Sequence, residues 1–340
     1  MRTVEPSSWM YTGALENYPE LVDQMAWIAP LLGNPGDVLV RVRSPWELAE
    51  SLRSAGLLFP ETRNSAAGLP LDGSWLAKTY NGASGSGVRV LSGERGAGSG
   101  EEIRTEKLCY QKRVEGKQCA AVYVATDGGA QLLGVTRQII GEPWLRAHGF
   151  QYAGSIGPWP VSEATRVTLT RLGSVLSEQF ELAGLFGVDF ILDGEQVWAV
   201  EVNPRYTASV EIVERCTGAK AIAAHVAACN GPSGEIERAG ASWVPVGGED
   251  ARARSEAHCH GKATLFATRD VVISQEFADY SITESLRQPW PMLADVSGTG
   301  TPIENGRPVL TMFASGTNVA EVEQRLRERV VEVENRLYTR

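Results

Sequence analysis

The chain has 340 residues, of which 43% are hydrophobic and 21% charged, and its formal net charge is −9 at pH 7. This composition is typical of a globular protein long enough for two or three packed units. The acidic balance and the dispersed charges argue against sequence-independent binding to a nucleic-acid backbone. We therefore expect no nucleic-acid partner, and any bound phosphate should belong to a small molecule.

The first twenty residues lack the apolar core of a secretory signal, and no apolar run approaches the roughly 20 residues that cross a bilayer. We therefore expect no membrane partner and a cytoplasmic location. The five cysteines are scattered without CxxC spacing, which argues against a disulfide framework or a structural zinc site.

Residues 1–65 are predicted to form a short N-terminal α/β unit. The segments PELVDQMAWIAPLL and SPWELAESLRSAG have helix-like spacing, and the second carries Ser44 as N-cap, Pro45 at the first helical position and Gly56 as C-cap. The apolar segment DVLVRV between them predicts a strand.

Residues 66–230 are predicted to form the core of the protein. Its first part, about 73–110, is predicted to be a lid hairpin in which a strand with Lys78 precedes a glycine-rich loop, followed by a second strand and a second glycine-rich stretch. Glycines allow backbone N–H groups to approach anionic oxygens, and the lysine adds a charge. The segment therefore predicts a phosphate site, although a mobile surface hairpin explains the same pattern.

Two apolar strands at about 186–205, GVDFIL and VWAVEV, are predicted to pair as an antiparallel hairpin. A three-residue loop, Asp193 to Glu195, places Asp189 opposite Ala199 and on the same face as Glu201, roughly 7–8 Å apart on the diagonal. A two-residue loop turns Asp189 away. We predict the three-residue loop, because two carboxylates directed at one point suit a cation.

Asn203 follows on the face of Glu201 and adds a neutral oxygen. Oxygen ligands without histidine or cysteine suit magnesium or manganese, which often takes its remaining ligands from substrate phosphates. The alternative is that these acids are merely solvated residues of a hairpin.

Residues 231–340 are predicted to form a β-rich unit that begins in a polar stretch at about 230–247 and ends in a helix. KATLFAT, DVVISQEF and RPVLTMFAS predict its strands. The final helix is expected from about Val319, capped by Asn318 and Glu321, with a buried stripe of Val322, Leu326, Val330, Val333 and Leu337.

Over about residues 50 to 230, the chain resembles the ATP-grasp superfamily of carboxylate-amine ligases. Three ordered segments carry the resemblance: WLAKTYNGASGSGV as lysine strand and phosphate loop, YQKRVEGKQ as adenine hinge, and GVDFILDG with VWAVEVNPR as metal strands. The resemblance implies an ATP-grasp fold of mixed α+β and α/β character, with ATP and magnesium or manganese as cofactors. It also implies a ligase that joins a small-molecule carboxylate to an amine, and it allows a homodimer.

The resemblance assigns the nucleotide contacts residue by residue. It implies that Lys78 contacts the ATP phosphates and that Gln111 accepts a hydrogen bond from the adenine amino group. Lys112 and Val114 would offer backbone groups to the adenine edge. Gln118 falls where a ribose-binding acid is common, which leaves the sugar contact open.

The metal ligands implied are Asp189, Glu201 and Asn203, and Arg205 would steady the acyl phosphate and the tetrahedral intermediate that follows it. A second lysine common in the superfamily is replaced here at Ser44 and Pro45. Either Arg41 or Arg43 substitutes for it, or the charge comes from elsewhere; Arg137 is a candidate for extra phosphate or substrate charge.

The segments YTGALENYP, GVTRQIIGE, FQYAGSIGP and NPRYTASVE are similar to a branch near the tyramine-glutamate ligases of methanofuran-type cofactor biosynthesis. That closer resemblance implies an amino acid amide on a C1-carrier cofactor, with pocket candidates Glu16, Asn17, Tyr152, Ser155, Tyr206, Ser209 and Glu211. Two alternatives stay open: a non-catalytic ATP-binding or scaffold relative, and an ATP-dependent phosphotransferase without ligation.

Overall fold

The computed structural model describes residues 7–79, 82, 85–93, 108–230 and 259–339. The chain divides into two compact units, one made of Met1–Val135 and Pro160–Trp243, the other of Thr136–Trp159 and Val244–Arg340. The predicted boundary at about 230–247 and the second glycine-rich stretch, from residue 94 to residue 100, lie outside the described residues. The division at residues 65 and 230 stays a prediction.

The first unit begins with helices rather than the expected α/β pattern: α1 at Pro19–Ala26, α2 at Gly36–Val42 and α3 at Pro45–Ser54. The cap of α3 is confirmed, because Ser44 Oγ accepts a hydrogen bond from the Glu47 N–H at 3.3 Å.

The predicted strand DVLVRV is wrong, since these residues form α2. Its buried residues are Val38, Leu39 and Val42, which follow helical spacing, whereas Val40 is 58% exposed. Asp23 Oδ1 accepts from the Gly36 N–H at 2.8 Å and so satisfies a donor in the first turn.

A four-stranded sheet follows in the first unit, with strand order β1–β4–β2–β3. Its strands are β1 at Thr62–Arg63, β2 at Asp72–Thr79, β3 at Val88–Ser92 and β4 at Leu108–Lys112. Cα pairing sets Leu76 opposite Gln111 and Lys78 opposite Cys109. Because alternate residues share a face, Lys78 and Gln111 lie on the same side of this sheet.

The larger sheet of the first unit has the order β6–β5–β8–β9. Its strands are β5 at Lys117–Thr126, β6 starting at Gly129 and ending at Ile140 in the second unit, β8 at Gly184–Asp193 and β9 at Gln196–Asn203. Helix α4, Glu163–Phe180, lies on one face, where Tyr123 Oη donates to the Leu169 carbonyl at 3.0 Å.

Helices α5, Ala208–Thr217, and α6, Ala221–Asn230, cover the opposite face of this sheet. They bury an apolar cluster that includes Val122, Val124 and Leu185. Strand alternation puts Asp189 on the same face, farther along the strand and outside this cluster. The helices therefore seal one end of the face with apolar packing, and the polar residues occupy the other end.

The second unit contains the strand order β12–β14–β10–β7–β6. The strands that follow β6 are β7 at Tyr152–Gly157, β10 at Cys259–Phe266, β12 at Leu293–Ala294 and β14 at Pro308–Gly316. The closing helix α8 begins at Val319 and ends at Tyr338. Its predicted buried stripe and its Asn318 cap, in which Oδ1 accepts from the Glu321 N–H at 3.0 Å, are both confirmed.

The predicted strand DVVISQEF is correct only for β11, Val271–Val272, which pairs with β13, Pro302–Ile303. Helix α7, Gln275–Ser285, begins inside the predicted strand because Ser274 Oγ caps it by accepting from the Phe277 N–H at 3.1 Å. In the described ranges, no helix is long and apolar enough to cross a membrane.

Candidate active site

The two carboxylates predicted to face a cation meet across the β8–β9 hairpin, although not by the predicted register. Asp193 pairs with Gln196, so the loop has two residues, with Gly194 at φ 58° in the left-handed region. The three-residue loop and the pairing of Asp189 with Ala199 are therefore wrong.

A β-bulge in β9 nevertheless places Asp189 directly opposite Glu201. The ladder pairs Phe190 with Ala199, shifts register at the next step, and pairs Asp189 with Glu201. Val200 is the extra residue of the bulge, and directly paired side chains stand about 4.5–5.5 Å apart at their β-carbons. Both carboxylates thus project from one face, closer together than the predicted diagonal.

Asn203 and Arg205 extend this polar group at the end of β9. The Asn203 amide donates from Nδ2 to Asp189 Oδ2 at 3.3 Å, and its Oδ1 accepts from Arg205 Nη2 at 3.3 Å. Arg205 also donates from Nη1 to the Tyr206 carbonyl at 3.1 Å. The guanidinium of Arg205 is thereby fixed beside the predicted metal ligands.

Of the two arginines that could replace the missing lysine, Arg43 faces the carboxylates. Its Nη2 lies 3.9 Å from Glu201 Oε1 and donates to the Gly82 carbonyl of the glycine-rich loop at 3.4 Å. Arg41 instead forms a 2.8 Å ion pair with Glu181, whose side chain is 76% exposed.

Lys78 and Gln111 contact one another. Lys78 Nζ donates to Gln111 Oε1 at 2.9 Å, and Gln111 Nε2 donates to Thr62 Oγ1 at 3.3 Å. Gln111 is only 3% exposed, so its amide orientation is set by these two contacts. One cavity of about 90 Å³ is lined by Arg43, Lys78, Gln111 and Glu201 together with Gly82, Gly85 and Ser86 of the glycine-rich segment.

The three other residues predicted to contact the nucleotide, Lys112, Val114 and Gln118, have different surroundings. The Lys112 N–H donates to the Glu61 carbonyl at 2.8 Å, so the predicted backbone contact of Lys112 is left to its carbonyl group. Val114 is half-buried just beyond β4. Gln118 pairs with Ile191, which puts it on the sheet face of Asp189, one alternate position along the strand.

Arg137 belongs to the second unit, where Nη2 forms a 2.7 Å ion pair with Glu323 of α8. Only 23% of its side chain is exposed. The pairing gives Arg137 a structural partner, and its predicted role toward phosphate or substrate stays a prediction.

The donor set of Asp189, Glu201 and Asn203 fits a hard divalent cation, because it offers two carboxylates and an amide oxygen on one sheet face. Within the described ranges, no group of three or more His, Cys, Asp or Glu side chains could hold a metal ion. The fit therefore depends on further oxygen ligands such as phosphate. For Asn203 to offer its amide oxygen to the cation, the amide must rotate, because Oδ1 accepts a hydrogen bond from Arg205.

Glu16, one of the predicted pocket residues, contacts the arginines instead of facing an open pocket. Its side chain is 2% exposed, and Oε1 accepts from Arg205 Nε at 2.6 Å and lies 3.5 Å from Arg43 Nη1. The neighbouring Tyr11 hydroxyl has a pKa raised above its usual range by burial and by the negative charge of Glu16.

The remaining pocket candidates are spread over both units. In the first unit, burial raises the pKa of Tyr206 to about 12, and Glu211 forms a 2.8 Å ion pair with Arg215. In the second unit, the Tyr152 and Ser155 hydroxyls lie 2.7 Å apart. Their predicted contacts with a substrate stay predictions.

Residues 42–209 match the model of the ATP-grasp domain family. Among curated proteins, the formate-dependent phosphoribosylglycinamide formyltransferase of Syntrophotalea carbinolica is 32% identical over 109 residues, which cover 31% of this chain and 28% of that protein. The match thus spans less than a third of that relative's length.

Two solved structures share the fold over most of the chain. The L-amino acid ligase from Bacillus licheniformis has a TM-score of 0.64 at 15% identity, covering 92% of this chain and 76% of that one. The N5-carboxyaminoimidazole synthetase from Staphylococcus aureus, complexed with ADP, has a TM-score of 0.64 at 13% identity, covering 93% and 78%. The expected ATP-grasp fold is thereby confirmed.

Proposed function

We propose that this chain of ATP-grasp fold is an ATP- and magnesium-dependent ligase that joins a carboxylate to an amine. The observation that carries the proposal is the direct pairing of Asp189 with Glu201 on a sheet face that also bears Asn203, with Arg43 at 3.9 Å from Glu201. Two acids, an amide and an arginine close together are suited to binding a metal ion with phosphate. Solvated residues of an ordinary hairpin would not need this arrangement.

The residues divide into a phosphate end and an acyl end. Lys78 and Arg43 supply positive charge at the cavity, which Gly82, Gly85 and Ser86 also line. Asp189 and Glu201, with Asn203 after rotation of its amide, would hold magnesium, which neutralises charge on the phosphates when it is bound. Arg205 would then stabilise negative charge on the acyl group.

The proposed reaction has two balanced steps. A carboxylate oxygen of the substrate bonds to the γ-phosphorus of ATP as the bond to ADP breaks, which gives an acyl phosphate. The amine nitrogen then bonds to the acyl carbon, phosphate leaves, and the amine loses a proton. Holding both substrates in one site favours the second step over hydrolysis.

The candidate substrates are proposed from the resemblances of the chain. Glutamate and tyramine are first choices because of the closer resemblance described above, which would make the product an amino acid amide on a C1-carrier cofactor. Formate is a further candidate for the carboxylate substrate, because one relative is named a formate-dependent enzyme.

The experiment is an ADP-release assay with ATP and magnesium, in which carboxylates and amines are supplied singly and in pairs. ADP release that requires both partners, with the amide detected by mass, is expected. Release with a carboxylate alone and a stable phosphorylated product would favour a phosphotransferase. Tight nucleotide binding without release from any pair would favour a non-catalytic relative.

A further inference from the structure

Glu16 is a buried carboxylate that contacts two arginines at once. It lies in the short helical turn Leu15–Asn17, and its side chain is 2% exposed. One oxygen, Oε1, accepts from Arg205 Nε at 2.6 Å and lies 3.5 Å from Arg43 Nη1. A segment far from β9 in sequence therefore sets the charge environment of both guanidinium groups.

Each arginine uses its remaining nitrogens to reach the metal strands. Arg205 Nη2 donates to Asn203 Oδ1 at 3.3 Å, and Arg43 Nη2 lies 3.9 Å from Glu201 Oε1. Asp189 completes the connection, because it accepts from Asn203 and pairs with Glu201 in the ladder.

These contacts close a ring that runs through Asp189, Asn203, Arg205, Glu16, Arg43 and Glu201. Every contact in the ring lies in the first unit. Glu16 is the member that contacts both arginines, whereas the other side of the ring connects them through Asn203, Asp189 and Glu201.

The hydrogen bonding of Glu16 is poor for a residue with only a structural role. Its second oxygen, Oε2, is buried and has no hydrogen-bond partner within the described ranges. An unsatisfied oxygen on a buried carboxylate opposes folding. Arginine has a long, flexible side chain, so two arginines that must point at developing charge require a fixed partner.

We propose that Glu16 is a positioning residue that orients Arg205 and Arg43 toward the Asp189–Glu201 pair and couples the acyl and phosphate ends of the site. This inference rests on the proposed ligase function. Glu16 does not itself touch the reacting atoms in this account and acts through the two guanidinium groups.

The first arm of the test needs no turnover. Nitrogen-15 NMR of arginine Nε–H groups is recorded on the whole protein, and the Arg205 signal is assigned by its loss in Arg205→Lys. We expect the protected Arg205 signal to be lost or to exchange rapidly in Glu16→Gln, because the anionic acceptor is gone. An unchanged signal would overturn the proposal.

The second arm is kinetic, with Glu181→Gln as the matched control. Glu181 also pairs with an arginine of α2, Arg41, but on the surface. We expect Glu16→Gln to lower kcat by about 10- to 100-fold while the Kd for magnesium-ADP changes by less than about threefold. The control should leave both values unchanged.

Non-additivity separates positioning from a general loss of structure. In an Arg205→Lys background, Glu16→Gln should lower kcat by less than about threefold further, because both changes disturb the same Glu16–Arg205 contact. Fully multiplicative losses would contradict the coupling. A loss of kcat with an equal loss of magnesium-ADP binding would also contradict it.

Glu16→Asp keeps the inference testable should the glutamine variant fail to fold. The shorter acid keeps the charge, and we expect a displaced but protected Arg205 signal with a smaller loss of kcat. Wild-type kcat with a displaced signal would overturn the proposal. If the wild-type protein releases no ADP with any substrate pair, the ligase function fails, and the NMR arm alone then decides whether Glu16 orders Arg205.

Discussion

Asp189 faces Glu201 across the β8–β9 ladder only because Val200 is inserted as a bulge. An uninterrupted ladder continuing from Phe190 and Ala199 would pair Asp189 with Val200 and turn Glu201 to the opposite face. The bulge therefore converts an ordinary hairpin into a site where two carboxylates meet, as bulges near functional sites often do.

Replacing Glu201 by glutamine tests the carboxylate pair. The change keeps size but removes a charge that a divalent cation requires, so kcat in the ADP-release assay should fall by about 100-fold or more. The matched control is Glu195→Gln, at the exposed turn of the same hairpin, which should behave as wild type. Near-normal turnover by the Glu201 variant would refute its role as a metal ligand.

Arg43 and Arg41 form a natural comparison, since both lie at the end of the segment 36–43 and only Arg43 approaches Glu201. Arg43→Ala should weaken magnesium-ATP binding by about tenfold or more, measured by calorimetry, because a largely buried cation is lost next to the proposed phosphate site. Arg41→Ala, which breaks an exposed ion pair, should change it by less than about twofold. Equal effects would mean that Arg43 does not replace the missing lysine.

Lys78→Met should also weaken magnesium-ATP binding, by about tenfold or more, because it removes a charge from the cavity and leaves Gln111 Oε1 without its 2.9 Å donor. Lys220 is exposed before α6, and Lys220→Met serves as the control for a lost lysine charge. Titration of both variants with the same nucleotide checks the prediction. Similar affinities would show that Lys78 does not contact phosphate.

The sequence predicts the strands β8 and β9, the α3 and α8 helices and the approach of Asp189 to Glu201. It does not predict the register, because period-2 alternation carries no signal for one unpaired residue inside a strand. DVLVRV is misread for a related reason: six residues are too few to separate alternation from helical spacing when three of the apolar side chains are buried.

The arginine contacts are even less visible in the sequence. Arg41 and Arg43 are two residues apart, and only the helix α2 shows that one points to Glu181 and the other to Glu201. Glu16 lies 189 positions from Arg205, so no local pattern indicates their bond. The Arg137–Glu323 pair, 186 positions apart, is hidden in the same way.

Asn34 is expected to stabilise the first unit, because it bonds the N-terminal segment to the residue before β8 and to the residue after β9. The Asn34 side chain accepts from the Ala183 N–H at 2.9 Å and donates to the Pro204 carbonyl at 3.0 Å. Asn34→Ala should lower the free energy of unfolding by about 2–4 kcal/mol, since buried partners lose their hydrogen bonds.

Urea unfolding followed by tryptophan fluorescence measures the effect of Asn34→Ala. Asn335→Ala, an exposed substitution in α8, should change the free energy of unfolding by less than about 0.5 kcal/mol. A urea midpoint of Asn34→Ala equal to that of the wild type would show that the Asn34 contacts contribute nothing to stability.

His225 should make stability depend on pH. Burial lowers the pKa of His225 from 6.5, and the ring accepts from the Leu185 N–H at 2.8 Å as a neutral imidazole. The unfolded chain then binds the proton more tightly, so stability is full above pH 6.5 and falls as the pH drops toward the folded pKa. The slope from this group is at most about 1.4 kcal/mol per pH unit.

His225→Asn removes the titrating ring but keeps an acceptor, so its urea midpoint should fall less between pH 7.5 and pH 5.5 than that of the wild type. Identical slopes for the two proteins would show that His225 is not the group responsible.

The acyl phosphate step is tested most directly by following oxygen from the carboxylate substrate into phosphate. With a pair that supports ADP release, the carboxylate is labelled with ¹⁸O and the inorganic phosphate is analysed by mass spectrometry. An acyl phosphate intermediate transfers one labelled oxygen to phosphate for each amide formed, and this is the result we expect. Amide formed with ADP and phosphate that carries no label would contradict the account.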